Sequence, residues 1–214
     1  MIKPRHLAGL FLYNWKLVNG CYMVKFLIVG LGNIGAEYAQ TRHNIGFDIA
    51  DAYATRHVLT FHSDRLADVA QFKLKGKPVT IIKPTTYMNL SGRAVKYWLD
   101  KEKIEISNML VLVDELALPL NKLRVRPSGS DAGHNGLKSI QEALQTDKYP
   151  RLRFGIGNNF PKGKQVDFVL NKWLPTEQQL VNEKISKCVE IIDSFIITGI
   201  ERTMNEANKL DFIV

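Results

Sequence analysis

The hydrophobic pattern takes hold at Phe26, where Phe26-Leu27-Ile28-Val29 forms an unbroken apolar run ahead of a glycine. A run this short, bounded by glycine, reads as a buried strand. The period then changes. Between Asn44 and His57, Ile45, Ile49 and Tyr53 recur at spacing four, which predicts a helix with one buried face. Ala70, Phe72 and Leu74 alternate with Gln71, Lys73 and Lys75, the mark of a half-buried strand. Gly76 and Pro78 signal a turn, and Val79 to Ile82 returns as a second strand, so the two form a hairpin. Pro84 ends that strand, and Ser91 is placed to cap a helix running through Leu99.

Met109 to Val113 is another apolar run, with Asp114 and Glu115 at its carboxyl end. Lys122 to Arg126 alternates again, turning Leu123 and Val125 one way and Lys122, Arg124 and Arg126 the other. The polar loop PSGSDAGHNG precedes a helical stripe of Leu137, Ile140 and Leu144. Arg151 to Ile156 alternates basic and apolar residues, and Phe160 to Gly163 is a turn. From Thr176, the positions Leu180, Lys184, Cys188, Ile191 and Phe195 trace a long amphipathic helix that Gly199 interrupts. Helices alternating with strands, together with one hairpin, predict an α/β fold. A single domain is expected, with a mixed sheet packed between α-helices.

Residues 1–22 do not join this pattern. They read as a disordered extension, or as a start upstream of the one the mature protein uses, with the domain occupying 23–214. No apolar run approaches the ~20 residues of a membrane span. The two cysteines, Cys21 and Cys188, have no paired spacing, which fits a reducing cytosol. The formal charge of +8 makes a polyanion a candidate partner, against the plainer reading of a solvated basic surface.

Candidate chemistry gathers after the first strand. Gly30-x-Gly32-x-x-Gly35 matches a dinucleotide fingerprint, but no acidic residue follows between Tyr53 and Thr60 where the ribose contact belongs. His43 sits in the polar cluster Thr41-Arg42-His43-Asn44. Asp114, at the end of a buried strand, is the carboxylate best placed to orient an imidazole. Asn33, Asn89 and Asn135 each lie in a loop and could supply neutral donors and acceptors to an amide-bearing substrate. His134 shows no partner in the sequence and reads as a lid or structural residue. The histidines, at 6, 43, 57, 62 and 134, make no ligand spacing, so no metal or other cofactor is expected. There is no GxSxG elbow, so a hydrolase built on this chain would activate water directly.

Five blocks in order, GLGNIGAEYAQTRHNIGF, KPTTYMNLSGRAV, VLVDELALPL, AGHNGLKSI and RLRFGIG, resemble the bacterial peptidyl-tRNA hydrolase family from about Lys25 onward. The resemblance implies a twisted mixed sheet in one α/β domain. It also implies hydrolysis of the ester joining a peptide to the tRNA 3′ end, in a cytoplasmic monomer. By the same resemblance His43 is the general base and Asp114 keeps it able to accept a proton. Asn33 matches the position that separates blocked from unblocked aminoacyl-tRNA. Tyr38, Tyr87, Asn89 and Asn135 match positions that contact substrate or tRNA, and Met88 a pocket wall. Ile34 stands where the family usually has proline, and Ala132 where glycine is common, which bears on loop geometry if position 132 needs a positive φ.

The basic residues Arg124, Arg126 and Arg153, with Lys162 and Lys164, are expected to grip phosphates near the acceptor stem. The competing readings are a non-catalytic RNA-binding protein on the same fold and a nucleotide-dependent oxidoreductase.

Overall fold

The apolar runs pair into one mixed sheet. The computed structural model describes residues 23–213, so the extension expected over 1–22 lies outside the described residues. The strands are β1 (Phe26–Gly30), β2 (His62–Asp64), β3 (Ala67–Leu74), β4 (Lys77–Pro84), β5 (Met109–Glu115), β6 (Leu123–Arg126) and β7 (Arg151–Gly155). They lie in the order β2-β3-β4-β1-β5-β7-β6. β1 runs parallel to β4 and β5, and β5 parallel to β7, while β3–β4 and β6–β7 are antiparallel pairs. The parallel centre therefore delivers the carboxyl ends of β1, β4, β5 and β7 to one edge, where α/β sheets place their sites.

The helices are α1 (Ile45–Arg56), α2 (Ser91–Glu102), α3 (Asn135–Leu144), α4 (Gln165–Leu170), α5 (Pro175–Thr198) and α6 (Ile200–Ala207). Two cores lie on the two faces of the sheet. Phe26 and Ile28 of β1, with Leu110 and Leu112 of β5, pack on Ile45, Ile49 and Tyr53 of α1 and on Leu180, Cys188 and Phe195 of α5. Leu27 and Val29, with Val111 and Val113, pack on Val95 and Trp98 of α2 and on Leu137 and Ile140 of α3. Adjacent residues on a strand point to opposite faces, so an unbroken apolar run is what a sheet covered on both sides requires.

Three local readings need correction. Ser91 does not cap α2. It is the first helical residue, and its hydroxyl donates to Met88 O at 2.9 Å, while Ser139 Oγ receives the Gly92 N–H at 3.0 Å. The short strand β2 has no counterpart in the hydrophobic pattern, because all three of its residues are exposed. The alternation of β7 does not turn Arg151 outward. Arg151 is fully buried, donating to Ser130 O at 3.1 Å and Asp147 O at 2.8 Å, with its guanidinium 4.1 Å from the Tyr149 ring centroid. Backbone carbonyls replace the solvent that alternation alone would have given it.

Lys184 shows the same solution on α5. Its ammonium is fully buried, 3.6 Å from the Phe154 ring centroid, and donates to Leu120 O and Gly155 O. Burial lowers its pKa to about 7. At the sheet edge, Asn208 pairs with β6 as a strand would: its Oδ1 accepts the Val125 N–H at 2.7 Å and its Nδ2 donates to Val125 O at 3.1 Å. That contact occupies backbone groups an edge strand leaves open.

Candidate active site

The glycines after β1 serve packing. A Cβ on Gly30 would lie 2.4 Å from Gly46 O, and one on Gly46 would lie 2.4 Å from Leu31 N. Only paired glycines let the strand end meet the first turn of α1 backbone to backbone. This contact brings the turn Arg42–Asn44 under the loop that follows β1.

Asn44 then locks that loop. Its Oδ1 accepts the Asn33 N–H at 2.8 Å and its Nδ2 donates to Asn33 O at 2.9 Å. The loop is thus held although Ile34, not proline, follows Asn33. Asn33 in turn accepts the Met88 N–H on its Oδ1 at 3.0 Å. Its Nδ2 has no partner among the described residues and remains a donor beside the cavity.

His43 meets Asp114 across the sheet. Its Nδ1 lies 3.1 Å from both carboxylate oxygens of Asp114. The partner that the sequence did not reveal is His134, whose Nε2 lies 2.9 Å from Asp114 Oδ1. His134 is the N-cap of α3, and its Nδ1 accepts the N–H groups of Gly136 at 3.1 Å and Leu137 at 3.3 Å. A neutral imidazole has one acceptor nitrogen and one donor. Nδ1 of His134 is therefore the acceptor, and Nε2 carries the hydrogen that Asp114 receives. The two imidazole rings lie 4.8 Å apart between centroids.

Burial raises the cost of charge at this point, since the side chains of His43 and Asp114 are only 13% and 4% exposed. For Asp114, burial pushes the pKa up, but the neighbouring His134 and His43 outweigh it and hold the carboxyl well below its usual range. For His43, burial pushes the pKa down, and the charge and hydrogen bond of Asp114 more than reverse this, so it stands above the ordinary imidazole value.

Ligand atoms of His43, Asp114 and His134 lie within 4.8 Å of one another, a metal-ligand grouping that sequence spacing did not disclose. The proton placement argues for another use. His134 Nε2 has no lone pair to offer while its Nδ1 caps α3, and His43 Nδ1 donates to the same carboxylate. The cluster is arranged to hold protons, with His43 Nε2 left as its one free basic nitrogen.

These groups open on a cavity of about 480 Å³ whose lining includes Asn33, Tyr38, His43, Tyr87, Met88, Asn89, Asp114 and Asn135. The carboxamides of Asn89 and Asn135 have no partner there among the described residues. Arg124 and Arg126 lie outside the lining, exposed on β6. Arg153 stands beside Arg124 across the β6–β7 pair, but its guanidinium is taken by the Glu115 carboxylate and by Ser130 O. The loop carrying His134 contains Ala132 at φ +50°, so this position does require the left-handed region, which costs a non-glycine residue about 1–2 kcal/mol. Asp131 steadies the turn by accepting the Gly133 N–H at 2.8 Å.

Sequence reading left four contributors without their place in the site: His134, read only as a lid or structural residue, Asn44, Glu115 and the apolar wall of α4. For His134 a signal was present, since a polar residue directly before a helical stripe is placed to cap it. For the α4 wall there was none, because its six residues are too few to set a period.

Residues 27–212 match the peptidyl-tRNA hydrolase family. The chain is 52% identical over 186 residues to a peptidyl-tRNA hydrolase of Phocaeicola vulgatus, covering 87% of this chain and all of that protein. It is 51% identical over the same span to one from Parabacteroides distasonis, with the same coverage of both chains. A crystal structure of peptidyl-tRNA hydrolase from Acinetobacter baumannii superposes with a TM-score of 0.83 at 32% identity, over 90% of this chain and 99% of the other. The match spans the sheet, both helical layers and every residue of the His43–Asp114–His134 cluster, and the chain belongs to the peptidyl-tRNA hydrolase family.

Proposed function

We propose that this chain hydrolyses the ester between a peptide, or an N-blocked amino acid, and the 3′ end of tRNA, recycling peptidyl-tRNA released early from ribosomes. The observation that carries the reading is the single free basic nitrogen of His43 beside Asp114, in a cavity lined by unpaired asparagine amides. Neutral His43 takes a proton from water through Nε2, and Asp114 stabilises the imidazolium that results. The hydroxide attacks the ester carbonyl. Asn89 and Asn135 hold the water and the developing oxyanion. Tyr38, Tyr87 and Met88 wall the substrate. The enzyme acts as a cytoplasmic monomer. Among the described residues no helix is long and apolar enough to cross a membrane.

The deciding assay is release of N-acetyl-amino acid from N-acetyl-aminoacyl-tRNA, with free aminoacyl-tRNA as control. Release from the blocked substrate only is expected. A protein that binds tRNA and releases nothing is an RNA-binding module on this fold.

Asn33 supplies the selectivity. Its Oδ1 is engaged by Met88, so the Nδ2 donor is what a substrate meets. A blocked α-amide offers a carbonyl to that donor, whereas a free α-ammonium is desolvated beside a group that cannot stabilise it. Asn33→Asp keeps the acceptor for Met88 and replaces the donor with a carboxylate oxygen. The ratio of kcat/KM for blocked over unblocked substrate should fall about 10–100-fold, the span of one hydrogen bond to a charged group. An unchanged ratio removes Asn33 from selection.

Arg124 and Arg126 grip phosphates near the acceptor stem, while Arg153 beside them is held by Glu115 and Ser130 O. Arg124→Ala with Arg126→Ala should raise KM for tRNA substrates and flatten the log–log salt dependence of affinity by about 0.9 for each phosphate no longer neutralised. A minimal ester without the tRNA body should turn over as before. Equal loss on both substrates would place these arginines in the fold's support.

A further inference from the structure

Arg42 directly precedes His43, and the chemistry above does not use it. Its side chain is only 4% exposed, yet it is charged, and both terminal nitrogens of its guanidinium are engaged while Nε is buried without a partner among the described residues. Nη1 donates to Lys172 O at 2.7 Å and Asn171 O at 3.3 Å, and Nη2 pairs with Glu177 Oε2 at 2.7 Å. The guanidinium lies 4.5 Å from the Phe168 ring centroid and 5.1 Å from that of Trp173. The backbone joins in: Arg42 N–H donates to Asn171 O at 3.1 Å, and Thr41 forms an antiparallel bridge with Lys172. Glu177 also accepts the Leu174 N–H at 2.8 Å, opening α5.

All of these partners fall between residue 168, inside α4, and the first turn of α5. α4 has six residues, none of them fully buried. A helix that short does not hold its place by propensity. Its Val166, Val169 and Leu170 nevertheless contribute to the apolar lining of the cavity, alongside Met88, Leu116 and Leu137. Arg42 fastens the carboxyl end of that wall to the turn that carries His43. Valine and leucine side chains offer nothing to phosphates or to the polar edges of bases, and they suit an apolar acyl side chain.

We propose that Arg42 is a positioning residue for acyl selection: by clamping the α4 wall against the His43 turn it sets how well the cavity takes a large apolar side chain on the acyl half of the ester. The inference rests on the hydrolase reading. Lysine at this position would keep the charge for Glu177 but could not serve two carbonyls and one carboxylate while lying against both the Phe168 and Trp173 rings.

The test uses the full chain carrying Arg42→Lys. kcat/KM is measured for N-acetyl-phenylalanyl-tRNA and N-acetyl-glycyl-tRNA, alongside hydrogen exchange of the amides of residues 165–172 and of β1 and β5. The phenylalanyl-to-glycyl ratio should fall about 3–10-fold, one hydrogen bond's worth, and through KM. The acid limb of kcat should stay in place because His43 keeps Asp114. Amides 165–172 should lose protection while β1 and β5 keep theirs. Equal loss on both substrates, or unchanged protection of α4, overturns the inference. If Arg42→Lys does not fold, Glu177→Gln reads the same clamp from its other end, with the same expected ratio change and the same overturning result. Parent protein that releases neither acid overturns the hydrolase reading and this inference with it, an outcome distinct from a variant that loses both substrates alike.

Discussion

His43→Ala lowers kcat for N-acetyl-aminoacyl-tRNA by about 10²–10⁴-fold, the usual contribution of a positioned general base, and leaves tRNA affinity nearly unchanged. Neither neighbour in the cluster can take over the role. His134 is the obvious substitute, but its Nε2 carries a hydrogen donated to Asp114 and its Nδ1 is occupied by the N–H groups of Gly136 and Leu137. Asp114 cannot serve either, because its carboxyl is held below the usual range by the imidazoles beside it and is a correspondingly weak base. The parent enzyme should lose activity as pH falls through the raised pKa of His43, since the protonated ring has no lone pair to offer. The variant should lose that acid limb. Turnover within a few-fold of the parent would take His43 out of the reaction.

Asp114→Asn is expected to be nearly as costly. It removes the charge that stabilises the imidazolium and can turn an amide N–H toward His43 Nδ1, favouring the wrong tautomer. In a serine-protease triad the same replacement costs up to about 10⁴-fold. The pH dependence has a definite sign. With Asp114 gone, burial alone acts on His43 and pushes its pKa down, so the acid limb of the residual activity should move to lower pH. Stability should follow a related course. The raised His43 pKa contributes stability that is fully present below the ordinary imidazole value and lost as pH rises through the folded value. The depressed Asp114 pKa contributes stability present above the ordinary carboxylate value and lost only as pH falls through the folded one. At about pH 5 the parent has both contributions, and at about pH 9 only the second. The fall in Tm caused by Asp114→Asn should therefore be larger at the lower pH. An equal fall at both, with an unmoved acid limb, would show that the two groups are not coupled.

Much of the fold was legible in the chain because its elements announce themselves by period. The run at Phe26 and the run at Met109 are unbroken because helices cover both faces of the sheet, and both became central strands. Ile45, Ile49 and Tyr53 all face the core from α1, and Gly199 does separate α5 from α6. Lys184 was part of the apolar stripe and is in fact buried, since carbonyls at Leu120 and Gly155 replace its water. The short strand β2 escaped notice because all of it is exposed and leaves no apolar pattern.

The site divides differently. Local order along the chain, by itself, determined the pieces: a polar turn around His43 at the start of a helix, a carboxylate at the end of a buried strand, and Asn33 in a loop. Those follow from backbone geometry within a few residues, and the five sequence blocks carried the family. Asn89 and Asn135, read as loop residues, instead sit in a 3-10 turn and at the first position of α3. Only the tertiary structure decided what each piece does to the others. Asp114 stands 71 residues from His43 and 20 from His134, and no spacing rule relates the three until parallel β1 and β5 bring their ends together. His134 gains its role because capping α3 fixes its tautomer, which a sequence cannot state. Arg153 reads in sequence as one more outward cation, and the fold gives its guanidinium to Glu115 and Ser130. Arg42 reads as a neighbour of the general base, and the fold makes it the fastening of a distant helix. The reason is common to all of these: hydrogen-bond partners and proton positions depend on distances of about 3 Å between residues far apart in the chain, and the hydrophobic pattern specifies only which face of each element is buried.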